Sequence, residues 1–246
     1  QVAALSSAQM RQLSADRLAA MSTDQIAAID TVVFAALYTD QVAAIDAGQV
    51  AGLTTDQLVS LSTAQVQVLD QGVVSGLSSD QLRALETRDV AALTTAQVRN
   101  MLDAQISALT TDQVIALTTE QFVALDVGQV GALTTDQLPA VQTRDLVVLS
   151  NTQIDPLTTE QVASLTSAQI SELTTEQITG LETDQLAALA TDRIVALETV
   201  QAAALTGTQV AALGTEQMAA MQTRDIAAIL PASITSMTTD QIVALG

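Results

Sequence analysis

Counted in steps of eight from Leu5, the chain meets Leu13, Met21, Ile29, Leu37, Ile45 and Leu53, and the series runs through Val141 to Leu245 without one polar residue. A second series starts at Val2 and passes Met10, Leu18, Ile26, Phe34 and Val42 on its way to Ile242. It too is apolar throughout, and only Ala202 is small. Each series has 31 positions, with no insertion or deletion between them. The unit reads Leu-Thr-Thr-Asp-Gln-Val-Ala-Ala, and Leu109-Thr110-Thr111-Asp112-Gln113-Val114-Ile115-Ala116 is a representative copy.

An eight-residue period excludes the commonest regular structures. In one continuous α-helix, eight residues turn through about 800°, so the apolar stripe would drift by about 80° per repeat and wind around the helix. Coiled coils require periods of 7 or 11 residues. A strand places alternate residues on one face, whereas these apolar positions lie three and five apart, and Ala-Ala and Asp-Gln have poor strand propensity. No Gly-rich turn of the kind found in calcium-binding β-rolls recurs.

A string of very short helices satisfies the pattern. With Thr110 as N-cap, Thr111 is N1, Asp112 N2, Gln113 N3 and Val114 N4. Ser or Thr followed three residues later by Gln is the capping box, and the apolar residue before the cap can pack on N4 as a hydrophobic staple. An acid at N2 faces the positive end of the helix dipole. Ser, Thr or Asp occupies the N-cap in 20 of 31 octads and Gln occupies N3 in 23, with the second threonine as the alternative cap. Pro231 falls at N1, where proline is favoured. Pro139 falls at N5, where a local distortion is expected. Helices of about six residues are too short to stand alone, so each must bury its Val and Leu against neighbouring octads. Paired alanines leave room for close approach. The fold expected is all-α: one uninterrupted solenoid over residues 1–246, one helix per octad, with an apolar seam inside and Thr, Asp and Gln outside. No polar repeat closes either end, which suggests a segment of a longer array or end-to-end association.

A slower period is superimposed on the octad. The N-cap departs from Ser or Thr chiefly at Asp30, Asp46, Asp70, Glu86, Leu102, Asp126, Gln142, Glu182, Glu198 and Gln222, mostly 16 or 24 residues apart. Read as one variant face per superhelical turn, this gives about 2.4 octads per turn; drift among equally good caps is the alternative.

Composition restricts the chemistry. The chain has no Cys, His, Lys or Trp, and eight Arg face 27 Asp plus Glu, for a net charge of −19. That removes disulfides, thiolate nucleophiles, the commonest general base, Schiff bases and the usual transition-metal ligands. Nucleic acid requires clustered cations, and the Arg residues are scattered from Arg11 to Arg224. No apolar run approaches the roughly 18–20 residues of a membrane span. The acids stand singly at caps with no Asp-x-Asp-x-Asp-Gly loop, so helix capping explains them better than calcium; Asp184 and Asp192 are one octad apart, as all caps are. The expectation is no enzyme, no catalytic residue, no metal and no cofactor.

The string Leu-Thr-Thr-Glu-Gln at 117–121, 157–161 and 173–177 resembles octapeptide arrays in very large bacterial surface or secreted proteins often labelled adhesin-like or haem-utilisation-like. The resemblance covers the whole chain. It implies an extracellular or cell-surface structural protein, a stalk, sheath or filament formed by head-to-tail or lateral self-association. The alternative is a binding module that grips a protein or glycan with one face. The haem label gains nothing from a chain without His or Cys.

Overall fold

The computed structural model describes all 246 residues: 28 α-helices and three 3-10 helices of three to six residues each, and no strand. It comprises two compact units, Gln1–Leu125 and Asp126–Gly246. Each unit is an α-solenoid in which every octad contributes one helix, and the octad register is the same in both.

The local geometry follows the capping signature. In the helix Thr111–Ala116, Thr110 has the extended conformation of an N-cap (φ −71°, ψ 159°). The Gln113 amide donates to Thr110 Oγ1 at 3.2 Å, and Gln113 Oε1 accepts from the Thr110 amide at 3.0 Å. The first threonine of the pair is therefore the cap. Leu117, which follows the helix, is also extended (φ −59°, ψ 139°). Two extended residues per octad thus turn the chain between helices. No residue has positive φ, so these turns need no glycine.

The two apolar series form the cores of the units. Val114, Leu82 and Phe122 are fully buried, and Leu117 and Leu165 are nearly so. Each helix packs against the one three repeats on in the same unit: Thr87–Ala92 against Thr111–Ala116, and Thr199–Ala204 against Thr223–Ala228.

Pro231 sits at the N1 position of the helix Pro231–Ile234. Pro139 has no N–H to give to the carbonyl four residues back, and its octad forms a turn followed by the 3-10 helix Leu138–Ala140.

Two expectations require correction. Cross-turn hydrogen bonds join residues 28 and 31 apart, as from Gln113 to the carbonyls of Leu85 and Leu82. Successive turns are therefore offset by between three and four octads, not 2.4. The variant caps do not trace this turn because several are simply equivalent caps: Asp30 accepts from the Val32 amide, Asp70 from Gly72 and Asp126 from Gln129. The second correction concerns the N3 glutamine, which from Gln41 onward is mostly buried and not on the outer surface. Gln41, Gln57, Gln97, Gln113 and Gln209 are at most 2% exposed.

Candidate functional site

The residue that organises the molecule is the glutamine at N3. Its side-chain oxygen closes the capping box of its own helix, and its Nε2 reaches the previous turn. In the first unit Gln57 donates to Ile26 and Ile29 at 2.8 and 2.9 Å, and Gln105 to Val74 and Leu77 at 2.9 and 2.8 Å. In the second, Gln177 donates to Leu146 and Leu149 at 3.1 and 2.9 Å, and Gln241 to Val210 and Leu213 at 2.8 and 2.6 Å. The last carbonyls of a helix have no partner within it. The N4 carbonyl, such as that of Leu82, already accepts from the amide three residues on, whereas the carbonyl of the extended residue after the helix, such as Leu85, has no backbone donor, and the N3 amide of a later turn supplies its partner. A buried carbonyl left unpaired costs about 1–3 kcal/mol, so the ladder holds turns together beyond what apolar packing provides.

The cap side chain is dispensable where the glutamine remains. Leu102, Glu182 and Gly214 make no side-chain cap, yet their amides donate to Gln105, Gln185 and Gln217 at 2.9, 2.7 and 2.8 Å. Some substitutions at N3 retain a donor. Arg193 Nε donates to the Leu165 carbonyl at 3.1 Å, and Ser233 Oγ to that of Leu205 at 2.8 Å, both 28 residues back. Val33 and Val73 occupy the same seat as buried apolar residues.

The exceptions of most chemical interest are three aspartates at N3, each preceded by arginine: Asp89, Asp145 and Asp225. All three are buried, at 0%, 0% and 2% exposure. Arg144 and Arg224 approach them at 3.4 Å, while Arg88 lies 3.7 Å from Asp89 and 2.8 Å from Glu86. Asp225 accepts from Thr199 Oγ1 at 2.7 Å. Neither oxygen of Asp89 has a hydrogen bond. Burial pushes the Asp89 carboxyl above its ordinary pKa, the Arg88 charge opposes this, and the Glu86 charge adds to it.

The other residues considered from sequence lie where the register puts them. Asp184 and Asp192 are at N2 positions of consecutive helices. No three carboxylates cluster. Phe34 and Phe122 are buried, and Tyr38 is half-exposed under the Arg11 guanidinium, 5.1 Å from its ring centre. A concavity of about 590 Å³ is an open groove where Ala190 and Gly214 leave two N-caps without a capping side chain; Thr191, Thr215 and Glu216 also line it. No helix is long and apolar enough to cross a membrane.

The importance of N3 glutamine beyond capping left a signal in the sequence. A capping box accepts Glu as readily as Gln, and the helix dipole favours Glu. Yet no octad has Glu at N3. The preference for the amide, Gln in 23 of 31 octads and Glu in none, is the trace of its second, donating role, which Val33, Val73 and the three aspartates forgo.

No curated protein matches the chain. Among solved structures it is similar to the leucine-rich repeat-containing protein LegL7 from Legionella pneumophila, at 12% identity, over 85% of this chain and 78% of that one, with a TM-score of 0.22. So slight a likeness supports no inference about this protein. The ALTTAQ repeat family matches residues 1–31, 82–119, 138–175 and 176–215. These segments make up more than half of the sequence and share the octad register and N3 glutamines described above, and the chain belongs to the ALTTAQ repeat family.

Proposed function

We propose that this protein is structural: a single continuous array whose octads build a stalk, sheath or filament at the cell surface or outside the cell, without catalysis. One observation carries the reading. The polar groups that recur from octad to octad, the N-cap hydroxyl and both ends of the N3 amide, are engaged in holding helix to helix and turn to turn. What repeats is therefore a means of extension, with length set by copy number. The acidic exterior, −19 over the chain, keeps copies apart laterally at low salt and favours contact through less charged surfaces. Surface location rests on the resemblance to octapeptide arrays of large bacterial surface proteins.

Negative-stain microscopy of the purified chain, with sedimentation velocity over a range of concentrations, tests the reading. Elongated, concentration-dependent assemblies are expected. A monodisperse monomer at every concentration and ionic strength would sink it.

A further inference from the structure

Three residues that occur at their octad positions nowhere else in the chain stand in one octad. Asp155 is the one acid at N5, Pro156 the one proline at N6 and Asn151 the one asparagine at N1. Proline has no N–H to continue a helix, so this helix stops after four residues, Asn151–Ile154, and Asp155 ends it. Asp155 and Pro156 are both exposed, so water reaches the bond between them. A later turn completes the surroundings. Gly180, at the N6 position that is alanine in most octads, lies against the Asp155 side chain. A Cβ on Gly180 would stand 3.0 Å from Asp155 Oδ1 and 3.3 Å from Asn151 Nδ2. Asn151 Nδ2 in turn donates to the Glu176 carbonyl at 3.1 Å. Gln185 Nε2 donates to the Asp155 carbonyl at 3.3 Å and to that of Leu157 at 2.6 Å, and so brackets the bond.

The bond itself has chemistry that no other in the chain has. An amide to proline is tertiary, and its nitrogen leaves as a secondary amine once it has taken a proton. Rotation about Cα–Cβ brings the Asp155 carboxyl onto the carbonyl carbon of its own residue, where attack closes a five-membered ring. The other two prolines follow Leu138 and Leu230, which carry no nucleophile. No cation ties down the Asp155 carboxylate. Of the helices packed against Asn151–Ile154, Val127–Gly131 has no ionisable residue and Thr175–Gly180 has only Glu176. Thr183–Ala187, which carries Gln185, adds only Asp184.

We propose that this is a self-cleavage site, at which the chain hydrolyses its own Asp155–Pro156 bond. A carboxyl oxygen of Asp155 bonds to the Asp155 carbonyl carbon, and the carboxyl proton passes to the Pro156 nitrogen. The carbon–nitrogen bond breaks with its electron pair staying on nitrogen. The products are a cyclic anhydride at Asp155 and a free secondary amine at Pro156. Water then opens the anhydride to two carboxyl groups, so one peptide bond is broken and one water is consumed. Gln185 Nε2 already sits on the oxygen that gains charge in the tetrahedral intermediate. Gly180 and Asn151 are positioning residues for the carboxyl. The event happens once per chain and is not turnover, and it does not depend on self-association. It also leaves the fold joined. Gln169 and Gln177, beyond the cut, donate to the carbonyls of Leu138, Val141, Leu146 and Leu149 before it, so the ladder spans the nick.

Mass spectrometry in denaturant, on purified chain sampled over days at pH 5 and pH 8, tests the proposal. Pieces 1–155 and 156–246 are expected, and faster at pH 5, because the leaving nitrogen must take a proton. Size exclusion without denaturant should still show an undivided particle. Asp155→Ala and Pro156→Ala change exposed residues and should each slow cleavage by about tenfold or more. Gly180→Ala meets only the flexible ends of two side chains, so it should keep the parent's circular dichroism spectrum while displacing the carboxyl and slowing cleavage by about tenfold. The parent unfolded in urea at pH 5 has the same bond without its surroundings and should be slower by a similar factor. A parent that stays intact at both pH values overturns the proposal. Parent-like cleavage in urea, or in folded Gly180→Ala, overturns it as well, because the bond would then owe nothing to its place in the fold. Parent-like cleavage in Pro156→Ala overturns the mechanism.

Discussion

At the scale of the residue, the N3 side chain performs three tasks at once: it accepts from its N-cap amide, donates to two carbonyls a turn away and fills buried space. Gln113→Glu keeps the first task and reverses the second, setting a buried carboxylate against the Leu82 and Leu85 carbonyls. We expect a loss of about 2–4 kcal/mol, from an unpaired Leu85 carbonyl plus a buried charge, the Leu82 carbonyl keeping its bond from the Leu85 amide. Thr110→Ala removes only the cap, for about 1 kcal/mol. Urea denaturation followed by circular dichroism ranks them, and a smaller loss for Gln113→Glu than for Thr110→Ala would contradict the ladder. Asp89 gives the complementary test. Its folded-state pKa is raised, chiefly by burial, so the folded chain holds a proton that the unfolded chain releases. Stability attributable to this group is therefore present below the ordinary value of 3.8 and is lost as pH rises through the folded-state pKa. Asp89→Gln restores a neutral donor facing the earlier turn and should stabilise at pH 7 by about 1–3 kcal/mol. The gain should shrink as pH is lowered and Asp89 becomes protonated in the parent. A constant difference between the two proteins across pH would show that ionisation is not the cause.

At the scale of the element, each helix is too short to hold itself and takes its stability from a cap, a core face and a neighbour three repeats away. Two glycines separate these contributions. Gly52 lies so close to the helix Thr23–Ala27 that a Cβ would stand 2.3 Å from the Thr23 carbonyl oxygen, which is backbone and cannot yield without moving its helix. Gly52→Ala should cost about 1–3 kcal/mol by overpacking. Gly131 closes the helix Val127–Gly131, and a Cβ added there would meet nothing within 4 Å. Gly131→Ala should therefore stabilise by about 0.5–1 kcal/mol through helix propensity and a less flexible unfolded chain. Melting temperatures shifted in opposite directions are the expected result; shifts of the same sign would mean that close approach at Gly52 is not what matters.

At the scale of the whole molecule, the cross-turn glutamine contacts link equivalent positions of different octads. Deleting one complete octad, residues 165–172, keeps all later N3 side chains opposite carbonyls of the correct class, although those near the cut meet new partners. Deleting the four residues 165–168 moves the later N3 seats half an octad out of step. Nearest-neighbour arrays tolerate loss of a unit but not of register. The eight-residue deletion should retain a parent-like helical spectrum and cooperative melting. The four-residue deletion should lose helix content on at least one side of the cut, as measured by circular dichroism and limited proteolysis.

Helix, cap and core were all legible in the sequence. Leu109 to Ala116 carries its start signal, staple and apolar face within eight letters, because these interactions join residues no more than five apart. The effects of Pro139 and Pro231 were equally legible, since a missing N–H acts on its own turn. Turn length and the burial of glutamine emerge only when the chain packs on itself. Both depend on what Gln113 meets at Leu82 and Leu85, and those partners are carbonyls, which every residue possesses and which therefore write no letter into the sequence. The preference for Gln over Glu at N3 marked that a donor is favoured there but not where it would reach. Cap variants pointed to a shorter turn because Asp, Ser and Thr are interchangeable at an exposed N-cap, so their order records little about packing. Asp89, Asp145 and Asp225 look like ordinary surface acids in the sequence; only the folded chain shows them occupying buried seats built for an amide.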